Sequence, residues 1–162
     1  MFVMGIDPGL TTTGYGMVRK GSTFEPVAAG VIRTHPNDPI EIRLRELYEN
    51  LVAVIREHQP EVAAIEQIFT NVNRQTAISV GRAAGVAILA AAHCDIAVFE
   101  YAPTQVKSAV AGYGGADKKA VQTMVARRLR LKTPPSPADA ADALAVAICH
   151  LQSLHLPTGT TR

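Results

Sequence analysis

Between residues 27 and 100 the sequence alternates strand-like and helix-like segments, and this alternation limits the fold more than any other feature. Residues 27–33 are strand-like and bounded by turn formers. Ile42, Leu44, Leu47, Leu51, Val54 and Ile55 then form a helical stripe over 39–57, with charges on the opposite face. Residues 61–66 read as a strand, 75–93 as an Ala-rich helix and 95–100 as another strand. Strands joined through helices are parallel. Ahead of them, 2–6, 13–19 and 27–33 are linked by short turn-rich pieces and predict an antiparallel meander. The expectation is an α/β fold with a five-stranded mixed sheet, three antiparallel strands plus parallel strands, flanked by helices. Further helices are expected over 103–111, 117–131 and 137–151. Residues 1–152 read as one domain, which suits a chain of 162 residues, and 153–162 as a polar tail.

Composition narrows the classes. No charged segment precedes an apolar one as a secretory signal would require. The apolar run 83–92, flanked by Arg82 and His93, falls short of the ~20 residues of a membrane span, so no membrane partner is expected. Cys94 and Cys149 have neither metal spacing nor a disulfide framework, and read as reduced thiols of a cytoplasmic protein. The histidines His35, His58, His93, His150 and His155 are scattered and read as surface or capping residues. The net charge is only +2, but it is unevenly spread. Acids dominate 34–66, whereas Lys107, Lys118, Lys119, Arg127, Arg128, Arg130 and Lys132 face Asp117 alone over 101–132. Such asymmetry fits a protein with one face toward a polyanion, and equally two solvated helices of opposite sign.

The chemistry lies in the acids. Asp7 ends the first strand within Gly5-Ile6-Asp7-Pro8-Gly9, where Pro8-Gly9 forces a turn. A lone buried carboxylate is costly, so Asp7 is expected at a strand tip facing a cleft. Glu66 ends another strand. Sheets of this kind bind ligands at the carboxyl ends of their strands. In Ser136-Pro137-Ala138-Asp139-Ala140-Ala141-Asp142-Ala143-Leu144-Ala145, Asp139 and Asp142 share one side of an otherwise apolar helix. Asp139 has a second reading, as a helix-capping acid behind Ser136, and Glu66 one as an ordinary surface acid. Four acids gathered at one cleft repel unless cations neutralise them, and an all-oxygen set suits Mg²⁺ or Mn²⁺. A pair of such ions is a standard device for phosphodiester hydrolysis.

These motifs have a collinear counterpart. Gly5-Ile6-Asp7-Pro8-Gly9, Thr13-Gly14-Tyr15-Gly16, Ala64-Ile65-Glu66-Gln67 with Phe69, Gln105-Val106-Lys107, Ala116-Asp117-Lys118 with Val121-Gln122, and the segment 138–145 closely resemble the RuvC family of Holliday-junction resolvases. The match runs from the first strand to about His150. The resemblance implies a ribonuclease-H-like fold and a homodimer with the helix over 75–93 at or near its seam. It implies an endonuclease that resolves four-way DNA junctions in recombination and repair by paired symmetric nicks, leaving 5′-phosphate and 3′-hydroxyl ends. Its catalytic and metal-binding set would be Asp7, Glu66, Asp139 and Asp142, with two Mg²⁺ per subunit and Mn²⁺ as a substitute. Lys107 and Lys118 would lie near the scissile phosphate. Phe69 would stack on unpaired bases of the opened junction, and Arg74 would hold a phosphate. The branch-migration proteins RuvA and RuvB would be partners.

Two other readings remain open on the sequence. Asp7-Pro8-Gly9 with Thr11-Thr12-Thr13-Gly14 also resembles the phosphate loop of actin-like ATPases, although those need two lobes and this chain has length for one. A ribonuclease-H-like protein that grips structured nucleic acid without cutting is the other, and four acids beside phosphate argue against it.

Overall fold

The computed structural model describes residues 1–67 and 73–154. Its five strands are β1 (Phe2–Asp7), β2 (Thr12–Lys20), β3 (Phe24–Arg33), β4 (Val62–Glu66) and β5 (Ala97–Tyr101). They form one sheet in the order β3-β2-β1-β4-β5. The β1–β2 and β2–β3 pairs are antiparallel, and β1–β4 and β4–β5 are parallel. This is the mixed sheet that the element order implies, in the ribonuclease-H-like arrangement that the resemblance implies.

Alternation along β1 divides the core. Phe2, Met4 and Ile6 face a cluster with α1 (Ile40–His58) and α2 (Arg74–His93), where Leu47, Leu51, Ala83 and Ala87 are buried. Val3 faces the other way, into a cluster with α3 (Pro103–Ala111), α4 (Lys118–Arg128) and α5 (Ala138–Ser153). Burying both strand faces requires near-continuous apolar sequence, and β1 has it up to Asp7. Helix α5 is the centre of this second layer: Ala140, Ala141 and every residue from Ala143 to Leu151 are buried. It lies close across β1 and β2 because glycines on the facing positions put no side chain in its way. A Cβ on Gly5 would overlap the Ala143 carbonyl, and one on Gly16 would come within 2.6 Å of the Leu144 side chain.

Several boundaries depart from the expected ones. Strand β3 begins at Phe24 and takes in Pro26, which was expected in a turn. It is an edge strand, and its pairing shifts at Met17/Val18, so that Val18 opposes Pro26. An edge position beside an irregularity is where a residue without an N–H is tolerated in a sheet. Helix α4 ends at Arg128 and not at 131, with Arg130 in the left-handed region at φ 55°. Helix α5 has Pro137 at its N-cap with no side-chain cap bond, so the capping pattern expected behind Ser136 does not form. Asp117 does cap α4, accepting from the Ala120 N–H at 2.7 Å.

Helix α2 is one residue longer than its sequence reading. Its 20 residues contain an 18-residue window of mean hydropathy 1.3, long and apolar enough to cross a membrane by length and composition. It is instead docked on α1 and the sheet through Ala83, Ala87, Ala90 and Ala91, all fully buried. Ile78 and Leu89 are exposed on its surface.

Candidate active site

Register brings the two strand-end acids together. Gly5 pairs with Ala64 and Ile6 with Ile65 across the parallel β1–β4 ladder, so Asp7 and Glu66 follow as the next step on adjacent strands. Strand alternation puts Asp7 on the same face as Val3 and Gly5, and Glu66 on the same face as Ala64, toward α5. Asp7 is paired across β1–β2 with Gly14. A Cβ on Gly14 would overlap the carbonyl of Asp139, so α5 lays Asp139 directly over the strand neighbour of Asp7. Asp142 is one turn further along the helix.

The turn behind Asp7 is fastened at several points. The Thr13 hydroxyl is fully buried and donates to the Gly9 carbonyl at 2.6 Å. Thr34 donates to the Leu10 carbonyl at 2.6 Å and accepts from Arg43 Nε at 2.9 Å. Arg43 Nη2 donates to Thr11 Oγ1 at 2.9 Å. Helix α1 thus grips the loop that aims Asp7. Thr13 falls within a motif of the sequence but its fastening role does not show there; Thr34 and Arg43 do not stand out, Arg43 being one charge among many on α1.

Charge crowding marks the site. Burial, then Glu66, Asp142 and Asp139 in that order, push the Asp7 carboxyl up to about 7, and Lys118 opposes them. Glu66 is likewise raised, chiefly by burial and then by Asp142, while Lys107 and Lys118 pull it down. Lys118 Nζ lies 2.7 Å from Asp142 Oδ2. That hydrogen bond, helped by the charges of Asp142, Asp139 and Asp7, raises the lysine. Glu66, Lys107, Lys118 and Asp142 line one cleft of about 300 Å³, with Pro103 and Val106 beside them. A larger cavity, about 470 Å³ beside Tyr101, Gln105 and Cys149, has no acid on its wall.

The four sequence-selected acids and both lysines therefore converge. Arg74 does not join them on the cleft wall; it is exposed at the first turn of α2. Phe69 lies outside the described residues. His150 is not a surface residue: it is 1% exposed, with Nδ1 2.7 Å from the Tyr101 hydroxyl and its ring 4.6 Å from that of Phe99. An apolar helix that is buried nearly all round carries it inside. Cys149 is buried and Cys94 half-buried, both as free thiols.

Among the described residues, no three His, Cys, Asp or Glu side chains form a closed metal cage. Asp142 is turned to Lys118 instead. The donor chemistry nevertheless fits a hard divalent cation. The donors are carboxylate oxygens without a thiolate or imidazole among them, and burial first, then the neighbouring acids, raises the Asp7 carboxyl, a penalty on its charge that such a cation relieves.

Comparison with known proteins finds relatives along nearly the whole chain. The sequence model of the family described as crossover junction endodeoxyribonuclease RuvC matches residues 3–150. A relative of that name from Pelotomaculum thermopropionicum is 54% identical over 151 residues, 93% of this chain and 92% of the relative. One from Desulforamulus reducens is 48% identical over 153 residues, 94% of each. The structure of Thermus thermophilus RuvC in complex with a Holliday junction substrate superposes with a TM-score of 0.89 at 37% identity, covering 95% of this chain and 94% of that one.

Proposed function

Because the chain belongs to the RuvC family of crossover junction endodeoxyribonucleases, we propose that it resolves Holliday junctions at the cleft formed by Asp7, Glu66, Asp139 and Asp142. The observation that carries this reading is the meeting of the Asp7 and Glu66 strand ends beneath the first turns of α5, with Lys107 and Lys118 on the same cleft wall.

The chain belongs to a family of metal-dependent nucleases, and the four acids would hold Mg²⁺, two ions per subunit, with Mn²⁺ able to replace it. When bound, these ions supply an activated water and charge neutralisation at the leaving oxygen. The chain's own residues do the rest. Asp7, whose proton is held by burial and by the neighbouring acids, would give it up as a cation binds and present a full carboxylate. Glu66 and Asp142 hold opposite sides of the cleft, and Asp139 completes the set. Lys107 and Lys118 receive the phosphate flanking the cut, as point charges suited to it. Cleavage leaves a 5′-phosphate and a 3′-hydroxyl. Phe69 stacks on an unpaired base, and Arg74 holds a more distant phosphate.

Paired cuts need two sites, and a homodimer supplies them. Ile78, Gly85 and Leu89 recur at seven and four residues along α2, a spacing that puts them on one helical face. Ile78 and Leu89 are exposed, and a Cβ on Gly85 would meet nothing within 4 Å. That face suits close packing against its copy. In the cytoplasm the dimer works with RuvA and RuvB.

Incubation with Mg²⁺ and three matched substrates tests the function: a four-way junction, a linear duplex and an RNA–DNA hybrid. Paired symmetric nicks in the junction alone are expected. Efficient cutting of the hybrid would sink the assignment.

A further inference from the structure

Lys118 faces two demands at once. It is placed to receive a phosphate, yet its ammonium rests on Asp142, one of the four acids, at 2.7 Å. It is also a charge neighbour of Asp7 and Asp139. The backbone that carries it is fixed, because Lys118 is the first residue of α4 directly behind the Asp117 cap. The side chain is not fixed, being 60% exposed, whereas Asp142 is 22% exposed. An ion pair so exposed adds little to the stability of a fold. Its cost falls on whatever else needs the same carboxylate.

We propose that the Lys118 ammonium and a divalent cation are alternative partners of Asp142, so that a DNA phosphate which draws Lys118 away loads the metal. The inference rests on the carboxylate cleft being the metal-dependent nuclease centre. Lysine suits such an exchange, since its flexible stem lets one charge serve either of two nearby anions. The free enzyme keeps its acids partly neutralised by its own cation. Junction binding offers Lys118 a phosphate and leaves Asp142 to the incoming ion. Linkage then makes the effect reciprocal: the factor by which junction DNA tightens metal binding is the factor by which metal tightens junction binding.

Mn²⁺ titration of the DNA-free protein, with unbound ion read by electron paramagnetic resonance, tests this without any activity measurement. Lys118→Met is expected to bind Mn²⁺ about fivefold tighter than the unaltered protein, as expected for loss of an exposed ion pair. Lys118→Arg, which retains the charge, should stay within about twofold. Repeating the titration with Ca²⁺ by calorimetry, with and without a four-way junction kept intact, should show a smaller DNA-induced gain in affinity for Lys118→Met. Equal Mn²⁺ affinities for the unaltered protein and Lys118→Met would overturn the exchange and leave the metal centre standing. Absence of Mn²⁺ binding to either protein would overturn the metal centre itself, and the exchange with it.

Discussion

Gly14 lies directly beneath the backbone of Asp139, and no side chain other than hydrogen fits between them. Because Gly14 is also the cross-strand partner of Asp7, this contact sets the separation of two acids that are far apart in the chain. Gly14→Ala should lift the start of α5 and displace Asp139 and Asp142 together. Misplacement by about 1 Å is enough to cost roughly a hundredfold in rate, and overpacking costs about 1–3 kcal/mol of stability. Junction-cleavage kinetics and thermal melts would check both. Gly21→Ala, with open space around the position, is the control expected to leave both unchanged.

Asp7→Asn separates binding from chemistry. Junction affinity should survive in a gel-shift assay, while cleavage under Mg²⁺ falls by about a thousandfold or more, as when a central catalytic group is removed. Cleavage at a normal rate in this variant would refute the site assignment.

The same variant has a pH signature. The Asp7 carboxyl titrates at about 7 when folded, against an ordinary value of 3.8. The folded state therefore holds a proton that the unfolded chain has released between those values. This favourable contribution is fully present below pH ~4 and is lost as pH rises through 7. The gap between those two values corresponds to about 4 kcal/mol at most. Thermal melts should find Asp7→Asn more stable than the parent at pH 8 and similar at pH 4. Divalent cation should narrow the difference at pH 8.

Arg43 tests the grip on the Asp7 loop. Arg43→Met removes the bonds to Thr34 and Thr11 and leaves the Thr34 hydroxyl without that donor. The expected loss is about 1–3 kcal/mol. Cleavage should slow while junction affinity, measured separately, stays within about twofold, because Arg43 acts on the loop that aims Asp7.

Leu89→Glu tests the α2 face. Light scattering should show the dimer dissociating at concentrations where the parent remains paired. Paired nicks should give way to single ones. An unchanged mass would place the seam elsewhere.

The sequence made the sheet and the four acids legible for a physical reason. Strand ends, the Pro8-Gly9 turn and acids in an alanine-rich helix are local patterns; the meeting of Asp7 and Glu66 follows from the β1–β4 pairing, and that of Asp139 and Asp142 from the packing of α5 over Gly14. The loop fastenings were hidden because Thr13, Thr34 and Arg43 acquire meaning only through partners on other elements. Gly14 and Gly16, two apart on a strand, did carry a signal: glycine at every second position marks a flat surface on which another backbone can lie. His150 was misread because five scattered histidines look alike until the burial of α5 sets one apart. The extent of β3 was misread because a proline is tolerated only where the sheet has an edge, and the edge is not visible locally.

Helix α5 is made well after β1. Until it has been made, Val3 and Val18 lack their cover, and the cleft lacks Asp139 and Asp142. A growing chain thus carries only two of the four acids. The cleft and this half of the core are completed in the same docking event, so a fragment cut short before α5 is expected to lack both.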